Sequence, residues 1–103
     1  MTDPMKMRIE QALSDSRPTL LEFYADWCPH CRAMMPVVEE LRGRTGDAAH
    51  IIQIEGEQHE ALMSKYHVDS YPTWILFKDG QEAWRDSGEK PLEELEDMLH
   101  RFE

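Results

Sequence analysis

The sequence predicts an α/β fold in which a mixed β-sheet carries helices on both faces. Three observations lead there. Apolar patterns switch repeatedly between helical and extended periods, in the order α-β-α-β-α-β-β-α. The run Thr19-Leu20-Leu21-Glu22-Phe23-Tyr24-Ala25 is mostly apolar, as a strand buried on both faces is. Asp79-Gly80 is a hairpin signal between two extended runs, so one pair of strands is antiparallel. The 103 residues fit one domain, 1–103, and the 41% of hydrophobic residues suffice for one core and not for two.

The elements follow from the N-terminus. Asp3-Pro4 suits a helix N-cap and first helical residue. Met5, Ile9, Ala12 and Leu13 then share a helical face, although residues 5–9 also alternate with period two and a short strand competes. Ser14 to Pro18 ends this element. After the strand at residues 19–25, Asp26-Trp27-Cys28 leads into a second helix with Pro29 in its first turn. Its core stripe is Met34, Val37, Val38 and Leu41, and both Met34 and Met35 read as core filler. Pro36 lies inside this helix and is expected to kink it, and Gly43 and Gly46 are expected to close it. Residues 50–55 form a second strand and residues 60–66 a short helix. Residues 73–78 and 81–86 are the hairpin strands, and Gly88 interrupts the second of them. A last helix opens near Pro91 with Leu92, Leu95, Leu99 and Phe102 on one face. Glu93 and Glu94 in its first turn, with His100 and Arg101 in its last, suit the helix dipole. Trp74 and Trp84 read as packing residues.

Composition excludes several functions. Eleven Lys and Arg face twenty-one Asp and Glu, a formal charge of −10 that repels phosphate backbones and anionic membranes. We therefore expect no nucleic-acid and no membrane partner. No apolar run approaches the length of a membrane span, about 18 residues. The opening, from Met1 to Glu10, carries no cleavable signal pattern, so a cytoplasmic location is expected.

The chemistry concentrates in Cys28-Pro29-His30-Cys31. Cysteines three apart at a helix start put both sulfurs on one face, within reach of an S–S bond of about 2.05 Å. The two are the only cysteines, too few for a disulfide-dense secreted scaffold. Helix-start N–H groups and the dipole favour a thiolate at Cys28. A thiol of pKa about 8.5 is only roughly 3% ionised at pH 7, and lowering it to about 6.5 raises that to roughly 75%. Cys28 is expected to be the exposed nucleophile, with Cys31 buried and resolving the mixed disulfide. A zinc site needs about four ligands, whereas the sequence offers one cysteine pair and scattered histidines. Haem attachment needs His directly after the second cysteine, where Arg32 stands. A structural disulfide across one helical turn closes almost no loop. No cofactor and no metal is expected.

Trp27-Cys28-Pro29-His30-Cys31, then Tyr71-Pro72-Thr73, then Phe77-Lys78-Asp79-Gly80, resembles the thioredoxin family from about Leu20 to the C-terminus. The resemblance implies a thioredoxin-like three-layer α/β/α sandwich. It implies a cis Tyr71-Pro72 bond beside the sulfurs, and a Tyr71 backbone that pairs with a substrate segment as an added strand. Four departures stand out. Pro29-His30 replaces the usual Gly-Pro and is the pair seen in bacterial periplasmic disulfide oxidases; His30 either favours the Cys28 thiolate or is an exposed histidine without effect. Glu22 replaces the family's buried aspartate. Gln53 replaces the lysine that accompanies that acid. The N-terminal strand is missing or shortened, leaving about four strands.

Buried among Leu20, Leu21 and Phe23 with no lysine nearby, Glu22 is expected to have a raised pKa and to exchange a proton with Cys31; the alternative is a solvated, edge-facing glutamate. Trp27, Pro29, His30, Tyr71 and Pro72 are the expected substrate contacts. The implied activity is thiol–disulfide oxidoreduction, reducing protein disulfides and drawing electrons from a separate disulfide reductase that holds any NADPH or flavin. The chain is expected to work as a monomer. A more oxidising thiol oxidase or isomerase using the same residues, and a binding subunit of the same fold, are the alternatives.

Overall fold

The computed structural model describes residues 3–103. Met1 and Thr2, where the leader reading begins, lie outside the described residues. The elements follow in the predicted order: α1 Pro4–Leu13, β1 Thr19–Tyr24, α2 Pro29–Thr45, β2 His50–Glu55, α3 Glu60–Lys65, β3 Thr73–Lys78, β4 Gln81–Ser87 and α4 Leu92–Arg101. The sheet order is β2-β1-β3-β4. β1 runs parallel to β2 and antiparallel to β3, and β3–β4 is the antiparallel hairpin. This is the mixed four-stranded sheet expected from the sequence.

Side chains alternate across a strand with period two, so each strand divides its residues between two layers. Leu20 of β1, Ile51 of β2, and Trp74 and Leu76 of β3 pack with Met34, Val38 and Leu41 of α2 and Leu95, Met98 and Leu99 of α4. Leu21, Phe23, Ile52, Ile54, Ile75 and Phe77 point the other way, onto Ile9 and Ala12 of α1 and Leu62 of α3. The result is the three-layer α/β/α sandwich. Glu22 shares the parity of Leu20 and therefore faces the α2 layer.

Residues 4–13 are helical, which settles the competition with a strand. The Asp3 carboxylate accepts from the Met5 N–H at 2.9 Å, and Pro4 occupies the first turn. Two expectations are corrected. Gly43 does not close α2, which continues to Thr45; Gly46, at φ 55°, is the cap. Met35 is not core filler: it is 37% exposed, one position round the helix from the buried stripe, whereas Met34 is buried. Pro36 lies inside α2 as expected. Gly88, at φ 89°, follows the last residue of β4 and ends that strand. Trp74 is fully buried and donates its indole N–H to the Gly88 carbonyl at 2.8 Å.

Candidate active site

β1 ends at Tyr24, and the next four residues turn the chain into α2. Cys28 is the N-cap of that helix, with extended backbone and no side-chain cap of its own. Its N–H donates to the Ala25 carbonyl at 3.1 Å, and its carbonyl accepts from the Arg32 N–H at 3.0 Å. Pro29 fills the first turn, and no acidic residue stands there to oppose a thiolate. Cys28 and Cys31 are both free thiols and cluster with Ala25, Tyr24 and Tyr71.

The two thiols differ. Burial pushes Cys28 up, but it is outweighed by the Cys31 backbone N–H, the Cys31 thiol and the His30 backbone N–H, each hydrogen-bonding its sulfur, and by the Arg32 charge; the net shift is downward. Cys31 is pushed up, first by burial, with further contributions from Cys28 and Glu22. The expectation that Cys28 is exposed needs correcting. It is only 5% exposed, just under the surface, while Trp27 beside it is 60% exposed. Its sulfur lies 3.9 Å from the Tyr71 carbonyl oxygen.

The Tyr71-Pro72 bond is cis. The Trp27 and Tyr71 rings meet edge to face at 6.0 Å. Glu57 ties them together, accepting from the Trp27 indole N–H at 3.2 Å and from the Tyr71 hydroxyl at 3.1 Å. Gly56 makes room for this arrangement. A Cβ there would overlap the Tyr71 hydroxyl and stand 2.6 Å from Cε1 of its ring. Neither Gly56 nor Glu57 was predicted, because what matters about them is their distance from Tyr71, fifteen and fourteen residues away.

His30 is exposed, and its Nδ1 lies 2.6 Å from a carboxylate oxygen of Glu89. Its backbone N–H, not its ring, is the group that lowers Cys28. Glu22 is buried, 1% exposed, so the solvated alternative is excluded. One of its oxygens accepts from the Gln53 side chain at 2.9 Å, and the other has no hydrogen-bond partner. Burial raises its pKa to about 7, against the opposing pull of the Gln53 hydrogen bond and the Arg42 charge. Among the described residues no cluster of three or more His, Cys, Asp or Glu could hold a metal ion, and no helix is long and apolar enough to cross a membrane.

A Cys-x-x-Cys at a helix start, roofed by the carbonyl that precedes a cis-proline on an α/β/α sandwich, defines a thioredoxin-type fold and site. Comparison with known proteins agrees. A family model described as Thioredoxin matches residues 5–101. The chain is 33% identical to the chloroplastic thioredoxin Y of Oryza sativa, over 77% of this chain and 47% of that protein. It is 30% identical to a thioredoxin-like protein of Synechocystis, over 90% of this chain and 89% of that one. A solved thioredoxin mutant from Halobacterium salinarum superposes with a TM-score of 0.84 at 32% identity, covering 93% of this chain and 83% of the other. The chain belongs to the thioredoxin family. It spans about half the length of the chloroplast relatives it matches, 47%, 52% and 53%.

Proposed function

We propose that this chain is a thiol–disulfide oxidoreductase that reduces protein disulfides through the Cys28–Cys31 couple. The observation that carries this reading is the division between the two sulfurs. Cys28 sits under the surface among N–H donors that favour its thiolate, and Cys31 lies fully buried behind it. The Cys28 thiolate attacks one sulfur of a substrate disulfide, and the other substrate sulfur leaves as a thiolate. Cys31 then loses its proton to Glu22 and attacks the Cys28 sulfur. The second substrate thiolate departs, and Cys28 and Cys31 are left as a disulfide. Two electrons pass to the substrate, and its two thiolates take up two protons, one returned by Glu22 and one from the solvent that received the Cys28 proton.

Glu22 suits the proton step. With a pKa near 7 it is part ionised at neutral pH, so it both accepts and returns a proton there. Trp27, Pro29, His30, Tyr71 and Pro72 form the rim a substrate segment meets. A separate disulfide reductase of flavin or nicotinamide type restores the dithiol, and the chain works as a monomer in the cytoplasm, where thiols are held reduced. Pro29-His30 favours a second reading, a thiol oxidase or isomerase with a more oxidising couple, which uses the same residues in the opposite direction.

The division of labour has a direct test. In the reduced protein Cys28 is expected to alkylate at least tenfold faster than Cys31 at pH 7. Cys31→Ser is expected to accumulate mixed disulfides with a disulfide-bonded protein substrate, and Cys28→Ser to accumulate none. Equal alkylation of the two thiols sinks the assignment.

A further inference from the structure

We propose that Arg42 is a positioning residue for the buried acid, acting on Glu22 through the Gln53 side chain. This rests on the proton role of Glu22 proposed above. Gln53 lies opposite Glu22 in the β1–β2 register, and its alternation turns it to the same layer. Arg42 belongs to α2, which roofs that layer. Its Nη1 donates to the Ile51 carbonyl at 2.7 Å, which fixes the guanidinium over β2. Its Nη2 donates to Gln53 Oε1 at 3.3 Å, and Gln53 Nε2 donates to Glu22 Oε1 at 2.9 Å.

The two neighbours admit one orientation of the amide. A guanidinium presents only donors, and a carboxylate presents only acceptors. Gln53 satisfies both when its oxygen faces Arg42 and its nitrogen faces Glu22. The flipped amide puts nitrogen against guanidinium and oxygen against carboxylate. Arg42 therefore holds an N–H aimed at Glu22. Without Arg42 the amide oxygen loses its donor, leaving only the Nε2 contacts to Glu22 and to Met35 Sδ at 3.7 Å, and a turned amide oxygen can then accept from the protonated acid. Both the lost charge and the freed amide favour the protonated form, so they act in the same direction.

Few other charged groups reach this acid. On its own strand Tyr24 follows it, and from α2 only Cys31 and Arg42 join it. Across β3 its register partner is Trp74, and the α4 residues of this layer are Leu95, Met98 and Leu99. Glu55 follows Gln53 on the same face of β2, but its carboxylate accepts from the Glu57 and Asp26 N–H groups. Arg42 is thus the cation that balances Glu22, supplied from a helix rather than from a neighbouring strand.

The test is a carboxyl carbon-13 NMR titration of Glu22 in the reduced full-length chain, with the resonance assigned by its loss in Glu22→Gln. An opposite charge acting through one intervening amide is expected to be worth about half to one pH unit. Arg42→Gln and Gln53→Met are each expected to raise the Glu22 midpoint by that amount, about threefold to tenfold in its proton affinity. Arg42→Lys keeps the charge and loses the fork; it is expected to give a smaller rise and serves if Arg42→Gln does not fold. In parallel, the pH profile of the Cys31 resolving step is followed by release of a mixed disulfide on Cys28. Its midpoint is expected to move up with that of Glu22. A Glu22 midpoint unmoved in either the Arg42 or the Gln53 variant overturns the inference. A midpoint that moves while the resolving profile stays fixed upholds the Arg42–Gln53 link and overturns instead the proton role of Glu22.

Discussion

Cys28 owes its lowered pKa to two backbone N–H groups, the Cys31 thiol and the Arg32 charge, so single residues decide its reactivity. The residue between the cysteines shows how. His30 contributes its backbone N–H to the Cys28 sulfur, while its ring is engaged by Glu89. His30→Pro removes that N–H along with the ring, whereas His30→Ala removes only the ring. His30→Pro is therefore expected to raise the Cys28 pKa, and His30→Ala to leave it nearly unchanged. The pH dependence of Cys28 alkylation reads both. An equal rise in the two variants contradicts a backbone origin. The same comparison fixes a redox sign. A depressed thiolate pKa stabilises the reduced protein above that pKa, and the stabilisation fades as pH falls through it. Raising the pKa removes part of that stabilisation, so His30→Pro also makes the couple more reducing.

At the scale of elements, α1 precedes β1, and no strand precedes α1 among the described residues. It is a packed element. Ile9 is fully buried against Phe23, Ile54 and the rest of the layer shared with α3. Removing most of that side chain leaves a cavity, so Ile9→Ala is expected to destabilise the whole chain by about 3 kcal/mol in denaturant unfolding. A loss below about 1 kcal/mol means that α1 is dispensable. The elements were legible because each carries its own period and punctuation. Residues 5–9 fitted two periods at once, and only the Asp3 cap and Pro4 separated them. Met35 was misplaced because a helical stripe has soft edges. The cysteine pair, Tyr71-Pro72 and Glu22 were legible as local patterns. Glu57 under Trp27 and Tyr71, Glu89 on His30, and Arg42 on Gln53 were not, because such contacts depend on register and on which layer a helix covers.

Taken whole, the molecule places a dithiol at one end of a sandwich and a buried acid beneath it, with a surface of formal charge −10 around them. A charge of that sign repels polyanions. The proposal at stake is one of direction, that the chain gives electrons to protein disulfides. The fold permits either direction, and Pro29-His30 was the sequence feature that pulled the other way. The ring of His30 meets Glu89 rather than Cys28, which leaves its backbone N–H as the contribution to the thiolate. The lowered Cys28 pKa pulls the couple toward the oxidising side and does not by itself set its direction. The reduction potential of the 28–31 couple, from equilibration with glutathione buffers at pH 7, tests the claim most directly. The account predicts a value below about −230 mV, in the range of cytosolic reductants; a value above about −180 mV, in the range of disulfide isomerases and oxidases, contradicts it.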